Sequence, residues 1–274
     1  MVLKNILPPA RIDALLENIY KLYRKYSTDY ELDESEDPWK SEMFHKKLIE
    51  FRKKDPKLFG AIYDSLKTSL TLTQLVSDDV IVDNVAKFLC VESSDVSISE
   101  PMCRLDVPND KRNALEWHQE RSFFPQNRDG LHSLVCWIPL TSVTEEMGAI
   151  HISPESHAGG LITPAQNEKK SELSTRQISV PEEHVKKYED LVVSVDAGDV
   201  VFFNMLLYHR SGVNISDKVR FAVQSRFHTA TADDFIPFEL VNYYNPDIKQ
   251  KLIEKNYDCS DIPNNTRQPP VARK

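Results

Sequence analysis

Glycine is unevenly distributed along the 274-residue chain, with six of its seven copies between residues 130 and 212. Because glycine adopts the positive φ angles that many tight turns need, we expect turns mainly in this middle region. Residues 1–92 instead show the apolar spacing of amphipathic helices. Helices are predicted after Pro8-Pro9 and at residues 38–54, 56–68 and 72–90. This part is predicted to form a helical buttress against a sheet.

From about residue 95 the apolar residues alternate and β-branched residues become frequent, which is typical of strands. Strands are predicted at residues 95–107, 113–120, 132–140, 148–154, 191–195, 199–204 and 220–228. Such a series predicts a mainly β sandwich or jelly-roll core over residues 95–230. The tail, 231–274, is predicted to be helical at 246–257, and the chain 1–274 to form a single domain.

Residues 163–189 interrupt the β region with a charged stretch that contains few apolar residues. A connection of this length is either a surface insertion or a lid over a site. The sequence leaves both interpretations open.

The charge, the cysteine spacing and the hydropathy pattern indicate which partners and which cellular location to expect. A formal net charge of −8 and a pI near 5.5 provide no broad cationic surface for nucleic acid. The four cysteines are far apart, with no CxxC pair, which favours a reducing compartment over a disulfide framework. With neither a signal-peptide pattern nor a membrane-length apolar run, we expect a cytoplasmic protein with no membrane partner.

The segment ALEWHQERSFF, residues 114–124, holds the first candidate metal ligands, His118 and Glu120. On a strand, side chains two residues apart point to the same side, about 6–7 Å apart along the chain, so both can reach one ion. A pair this short also arises by chance among eight histidines and 42 acidic residues. Alone, it is compatible with a histidine beside a surface acid.

A second candidate group lies in the segment AGDVVFFNMLLYHRSGVNISDKVRF, where a strand leads to His209 and a polar turn precedes Arg220. If the turn forms a hairpin, His209 and Arg220 stand opposite each other with Cβ atoms roughly 5 Å apart. An anion between them would explain why an arginine faces a metal-binding histidine. A dicarboxylate that chelates the metal and reaches Arg220 meets this requirement.

Two histidines and one carboxylate form a facial triad that leaves three coordination positions open on Fe(II). The C1 carboxylate and keto oxygen of 2-oxoglutarate can take two of them, and O2 the third. Structural zinc instead favours four protein ligands, and no cysteine is placed to complete such a set.

The motifs WHQE, VCWIPLT, MGAIHISPESHAGG and AGDVVFFN…YHRSG, followed by Arg220, resemble the phytanoyl-CoA dioxygenase family of Fe(II)/2-oxoglutarate oxygenases. The resemblance covers about residues 95–230 and implies a double-stranded β-helix (jelly-roll, cupin-like) core with flanking helices. It implies a hydroxylase that acts on a small-molecule substrate and releases succinate and CO2. Desaturation, epoxidation and ring closure remain alternatives on the same centre.

The resemblance also assigns roles by position. It makes His118, Glu120 and His209 the iron ligands and Arg220, eleven residues after His209, the partner of the cosubstrate's C5 carboxylate. The remaining positions that it assigns to the cosubstrate pocket are Ser211, Gln119, Trp137 and Met102. Glu120 departs from the aspartate usual in the family, and PESH replaces the usual PGSH. A retained carboxylate argues against halogenase variants, which lack one.

Two other kinds of protein remain open at this stage. One is a jelly roll that binds a ligand without catalysis, and the other is a cupin-like enzyme or zinc hydrolase that does not use 2-oxoglutarate. Other polar residues are predicted to have structural roles: His132 and His151 as core histidines, and His157 as a turn residue. Arg104 and Arg121 are predicted to form surface ion pairs, with contact to an anionic substrate as the alternative.

Overall fold

The computed structural model describes residues 1–27, 35–110, 114–124, 126–127, 130–163, 165–166, 178–236, 250 and 253–254. The predicted helix at 246–257 therefore lies largely outside the described residues. No helix in the described part of the chain has both the length and the apolar character needed to cross a bilayer.

The described part of the first third of the chain is helical, as predicted, with five helices longer than one turn where four were expected. They are α1 (Pro9–Tyr26), α2 (Glu42–Lys54), α3 (Pro56–Leu66), α4 (Leu70–Val76) and α5 (Asp79–Leu89). Side chains of Ser41, Asp55, Ser69 and Asp78 accept hydrogen bonds from backbone N–H groups in the first turns of α2 to α5. The single helix predicted at 72–90 is therefore two, because Asp78 caps a new helix there.

A jelly roll of two sheets follows the helices and confirms the predicted fold. Its strands are β2 (Val96–Asp106), β3 (Ser133–Pro139), β4 (Ile150–Ile152), β7 (Leu191–Val193), β8 (Val200–Asn204), β9 (His209–Arg210) and β10 (Arg220–Thr229). With β1 (Val2–Leu3) at one edge, the major sheet has the order β1-β8-β3-β10-β2. The minor sheet has the order β7-β4-β9, and all described strand pairs are antiparallel.

Both faces of the central strands of the major sheet, β8, β3 and β10, are buried. On β8, Val200 and Phe202 pack against the helices, whereas Val201 and Phe203 point into the barrel. Every residue of β3 is buried, which explains its continuous apolar sequence, SLVCWIP. The helices therefore complete the core on one face of the sheet, and the other face lines the barrel that holds the candidate site.

Part of the 163–189 stretch is regular. Two short strands, β5 (Ala165–Gln166) and β6 (Ile178–Ser179), pair with each other, and a helical turn, α6, follows at Glu182–Val185. The backbone N–H of Val180 donates to the carbonyl of Trp117 at 2.7 Å. This end of the stretch therefore contacts the segment that carries His118.

Candidate metal and cosubstrate site

A backbone contact brings the two candidate histidines together. His118 and His209 form an antiparallel bridge, in which each N–H donates to the other's carbonyl at 2.9 and 3.1 Å. The strand predicted at 113–120 is not formed over its described residues; His118 makes an isolated bridge, and a 3-10 turn begins at Glu120. His118 and Glu120 are therefore neighbours, as predicted, but in a bridge followed by a 3-10 turn rather than on one strand.

The three candidate ligands converge on one point inside the barrel. Oε2 of Glu120 lies 3.3 Å from Nε2 of His118 and 3.1 Å from Nε2 of His209. One ligand atom from each of the three residues lies within 4.8 Å of the others, and all three residues are buried. The predicted convergence of side chains from two distant segments is thus present in the structure.

The hydrogen bonds around the imidazoles suit a cation. Nδ1 of His118 lies 2.7 Å from the Glu116 carbonyl and Nδ1 of His209 lies 3.0 Å from the Leu207 carbonyl, and since a carbonyl only accepts, each Nδ1 must donate. In the neutral rings, each Nε2 then presents a lone pair to the carboxylate oxygen of Glu120. Three such atoms directed at one point are the arrangement that a metal ion binds.

The protonation states agree with this arrangement. Burial, followed by the nearby His209, lowers the pKa of His118, so this ring is neutral at neutral pH. Burial alone would raise the pKa of Glu120, but the guanidinium of Arg226, followed by the two adjacent imidazoles, holds it well below its ordinary value. The donor set is therefore a carboxylate with neutral imidazole, as a divalent transition metal requires.

Apolar rings enclose the site. The Phe123 ring meets His118 edge-on at a centroid distance of 5.5 Å, and the Phe203 ring lies 4.7 Å from His209. The side chains of Val135, Trp137, Val201 and Ala222 continue this buried apolar cluster inside the barrel. Such walls limit the access of bulk water to the site.

Arg220 lies at the start of β10 beside a pocket whose other polar linings include Ser211, Arg104 and Asp106. Its Nε and Nη2 donate to Oδ2 of Asp106 at 3.2 and 2.7 Å. Nη1 of Arg220 is buried and has no hydrogen-bond partner among the described residues. One edge of this guanidinium is therefore held by Asp106, while the remaining donor is available to a carboxylate.

The hypothesis that a hairpin sets His209 opposite Arg220 is wrong. β9 pairs with β4 in the minor sheet, whereas Arg220 pairs with Asp106 of β2 in the major sheet. The turn crosses between the sheets because Asn214 is anchored there: its side-chain amide donates to the carbonyls of Asp106 and Lys218. His209 and Arg220 thus approach the barrel interior from opposite sheets.

The other four residues predicted to contact the cosubstrate lie in different parts of the structure. Ser211 shares the pocket with Arg220, and its Oγ accepts a hydrogen bond from the Leu115 N–H at 3.4 Å. Gln119 is buried, and its amide bonds the backbone of Gly160, Leu206 and Ile162. These bonds anchor the loop after His157. Trp137 and Met102 lie on strands β3 and β2, each opposite Gln224 of β10.

The predicted structural roles of four other polar residues need correction. His132 is exposed and pairs with Asp234 at 3.0 Å, so it is not a core histidine. His151 is only partly buried and lies 2.6 Å from Asp190. Arg121 is 4% exposed and lies in the interior rather than in a surface ion pair. Arg104 does form an ion pair, with Asp106, but both side chains are largely buried.

Two charged residues of the site were not identified from the sequence. Asp106 binds both Arg104 and Arg220, and Arg226 binds Glu120. The sequence does contain a weak indication of the second pair: Arg226 lies six residues after Arg220, an even spacing that places both on one face of a strand. The carboxylate that each would meet comes from a distant segment, which no local pattern indicates.

Comparison with protein families gives one match over most of the chain. The family described as Phytanoyl-CoA dioxygenase (PhyH) matches residues 1–222. Comparison with curated protein sequences gave no significant match.

Solved structures with a similar fold include non-haem enzymes. The epimerase SnoN, solved with Fe3+, alpha ketoglutarate and nogalamycin RO, has a TM-score of 0.56 and 16% identity over 84% of this chain and 79% of its own. The alpha ketoglutarate dependent carbocyclase SnoK has a TM-score of 0.51 and 20% identity over 84% and 79%. EvdO2 from Micromonospora carbonacea var. aurantiaca, complexed with 2-oxoglutarate, has a TM-score of 0.53 and 16% identity over 86% and 89%. At these identities the likeness establishes a shared fold.

Proposed function

The chain belongs to the phytanoyl-CoA dioxygenase family of Fe(II)/2-oxoglutarate oxygenases, and we propose that it hydroxylates a C–H bond of a small-molecule metabolite, with release of succinate and CO2. The observation that carries this proposal is the convergence of Nε2 of His118, Nε2 of His209 and Oε2 of Glu120 in a buried site. These residues would hold the iron. Bound iron supplies the activation of O2, coupled to oxidation of 2-oxoglutarate, for which protein side chains have no equivalent.

The pocket beside Arg220 supports a role in binding the cosubstrate. The free donor Nη1 of Arg220 and the hydroxyl of Ser211 would bind the C5 carboxylate of 2-oxoglutarate. The pocket also carries the charged side chains of Arg104, Asp106 and Asp110. Asp106 pairs with both Arg104 and Arg220, and Asp110 pairs with Arg52.

The side chains around the metal site suit a reaction that must exclude water. Phe123, Phe203 and Trp137 would limit solvent at the reacting atoms and so favour oxidation of the bound substrate. Gln119 would act indirectly, by holding the loop at Gly160 against the barrel.

Anaerobic titration tests the core of this proposal. Addition of Fe(II) and then 2-oxoglutarate should produce the visible charge-transfer band of a chelated 2-oxo acid. Arg220→Ala should abolish the band at moderate 2-oxoglutarate concentrations, whereas Arg11→Ala, which alters an exposed arginine of α1, should not. A ligand-binding jelly roll would give no band, and a zinc hydrolase would keep its activity in Arg220→Ala.

A screen for succinate across small metabolites identifies the substrate, and product mass separates reactions that add oxygen from those that do not. Hydroxylation and epoxidation each add one oxygen atom, desaturation or ring closure removes a pair of hydrogens, and epimerisation leaves the mass unchanged. A product without added oxygen would overturn the hydroxylation proposal while leaving the oxygenase family intact.

We further propose that the 163–189 stretch contributes substrate contacts. The bond from Val180 to Trp117 places one end of the stretch beside the segment that carries His118. Once a substrate is known, a variant in which residues 167–177 are replaced by a shorter linker should have a raised KM for that substrate and an unchanged KM for 2-oxoglutarate. An unchanged KM for both would make the stretch a surface insertion.

A further inference from the structure

Arg226 makes a close contact with the proposed metal ligand Glu120. It lies on β10, and its Nε donates to Oε1 of Glu120 at 2.6 Å, with Nη2 also against Oε1. The guanidinium carbon lies 4.1 Å from the centre of the Phe124 ring. Arg226 is 2% exposed and Glu120 3%, so this ion pair is sealed from solvent.

The contact divides the two carboxylate oxygens of Glu120 between different partners. Oε1 is taken by Arg226, and Oε2 faces the two histidine Nε2 atoms. A carboxylate held in this way offers one oxygen, not two, to a metal ion. The guanidinium of Arg226 also lies over the Phe124 ring, and this second contact helps to hold it beside Oε1, which leaves Oε2 directed at the histidines.

We propose that Arg226 is a positioning residue for the metal, and that it directs Glu120 to bind through Oε2 alone. This inference rests on the proposed function, because it takes His118, Glu120 and His209 as the ligands. Arg226 keeps a coordination position open by preventing Oε1 from binding the metal. It also compensates the charge of a buried carboxylate when no metal is bound.

The pair also accounts for the glutamate at position 120. Aspartate is shorter by one methylene and would draw the carboxylate back by about 1.3 Å, a distance that breaks either the contact with Arg226 or that with the histidines. We therefore expect Glu120 and Arg226 to act as a unit.

Metal titration of the full-length, metal-free protein tests the proposal. The variants are Arg226→Met and Arg226→Lys, with Arg220→Met as the matched control, since Arg220 is also a buried β10 arginine paired with a carboxylate. In Arg226→Met, affinity for Fe(II) and Co(II) should fall about 10- to 100-fold, as for other groups that orient metal ligands. Arg226→Lys should give an intermediate affinity. Arg220→Met should bind metal like the wild type and lose affinity for 2-oxoglutarate.

The visible spectrum of the Co(II)-loaded protein provides a readout that a purely structural role would not change. Release of Oε1 in the Arg226 variants should alter the coordination number and therefore the spectrum. A double-mutant cycle with Glu120→Asp should show non-additive losses of metal affinity, as expected for residues in direct contact.

The outcomes separate the inference from the function on which it rests. If the wild type binds metal and both Arg226 variants match its affinity and Co(II) spectrum, or if the cycle is additive, the role of Arg226 is refuted and the oxygenase proposal stands. If the wild type binds no metal, the oxygenase proposal itself fails. Should Arg226→Met not fold, Arg226→Lys decides, because it keeps the buried positive charge.

Discussion

His118 and His209 exchange backbone hydrogen bonds across an antiparallel bridge, with N–H to carbonyl distances of 2.9 and 3.1 Å. Their rings consequently lie only 4.0 Å apart, between centroids, before any metal is considered. The backbone therefore positions both imidazoles, so the metal site is largely preformed without the ion.

This arrangement predicts that the metal-free protein is folded and that metal adds stability. At a free metal concentration of 100 times Kd, the gain is about 2.7 kcal/mol in the free energy of unfolding. His209→Ala should remove this gain and leave the far-UV circular dichroism unchanged, whereas His157→Ala, at an exposed turn position, should keep it. Thermal unfolding with and without Co(II) is the measurement; equal gains in wild type and His209→Ala would contradict the assignment of His209.

The fold was largely predictable because its strands carry strong local patterns. Residues 220–228 and 199–204 were predicted as strands, and the structure has Arg220–Thr229 and Val200–Asn204. The segment around His118 was not, because its backbone is determined by pairing with His209, a residue far away in sequence. Local alternation cannot distinguish a strand from a single bridge followed by a turn.

The candidate site was also predictable only in part. The three ligand positions follow recognisable motifs, whereas the partners of Arg220 and Glu120 do not. Asp106 reaches Arg220 because β2 and β10 are neighbours in the sheet, at a register that the sequence alone does not give. The hairpin hypothesis failed for a related reason: Asn214 holds its turn against Asp106 and Lys218, which sends β10 into the other sheet.

Asp106 is predicted to be essential for stability near the pocket. Burial alone would raise its pKa, but Arg104 and Arg220 lower it, so it is ionised throughout the neutral range. Asp106→Asn would leave two largely buried arginines without their carboxylate, at a cost of roughly 3–5 kcal/mol. Urea denaturation should show this loss. Asp64→Asn, which removes an exposed ion pair with Lys67, should change stability by less than about 1 kcal/mol, and equal effects would refute the prediction.

Because His45 is buried, we expect the protein to lose stability in mild acid. Its Nδ1 accepts a hydrogen bond from the Val219 N–H, and burial lowers its pKa from 6.5 to about 4. The His45 imidazole is protonated below about pH 6.5 in the unfolded chain, but only below about pH 4 in the folded chain. Its contribution to the free energy of unfolding is therefore complete above pH 6.5 and is lost as the pH falls towards 4. The slope is about 1.4 kcal/mol per pH unit.

The substitution His45→Asn isolates this contribution, because an amide oxygen accepts the same hydrogen bond and does not titrate. Denaturation between pH 7 and 4 should show a smaller decline for the variant than for the wild type. His228, whose pKa burial also lowers to about 4, and His118, whose pKa burial lowers as well, remain in both proteins and contribute to the residual decline. Parallel curves for the two proteins would show that His45 is not the group responsible.

Gly212 is predicted to tolerate no side chain. A Cβ there would lie 2.2 Å from the Ala149 carbonyl oxygen, so Gly212→Ala must displace the backbone that follows His209 and Ser211. We expect destabilisation of several kcal/mol, about the size of other severe steric changes, and weakened metal binding. Gly60→Ala is the control: nothing lies within 4 Å of its added methyl, and in helix α3 it should stabilise by about 0.5–1 kcal/mol. A Gly212→Ala protein as stable as wild type would contradict the close approach.

Burial of β3 on both faces restricts how such a protein can diversify. A substitution on this strand disturbs either the packing against the helices or the lining of the barrel, so the major sheet has little freedom to vary. New substrate preferences would have to arise in the connections around the barrel mouth. An engineer who wishes to redirect the oxidation should therefore randomise those connections and leave the strand untouched.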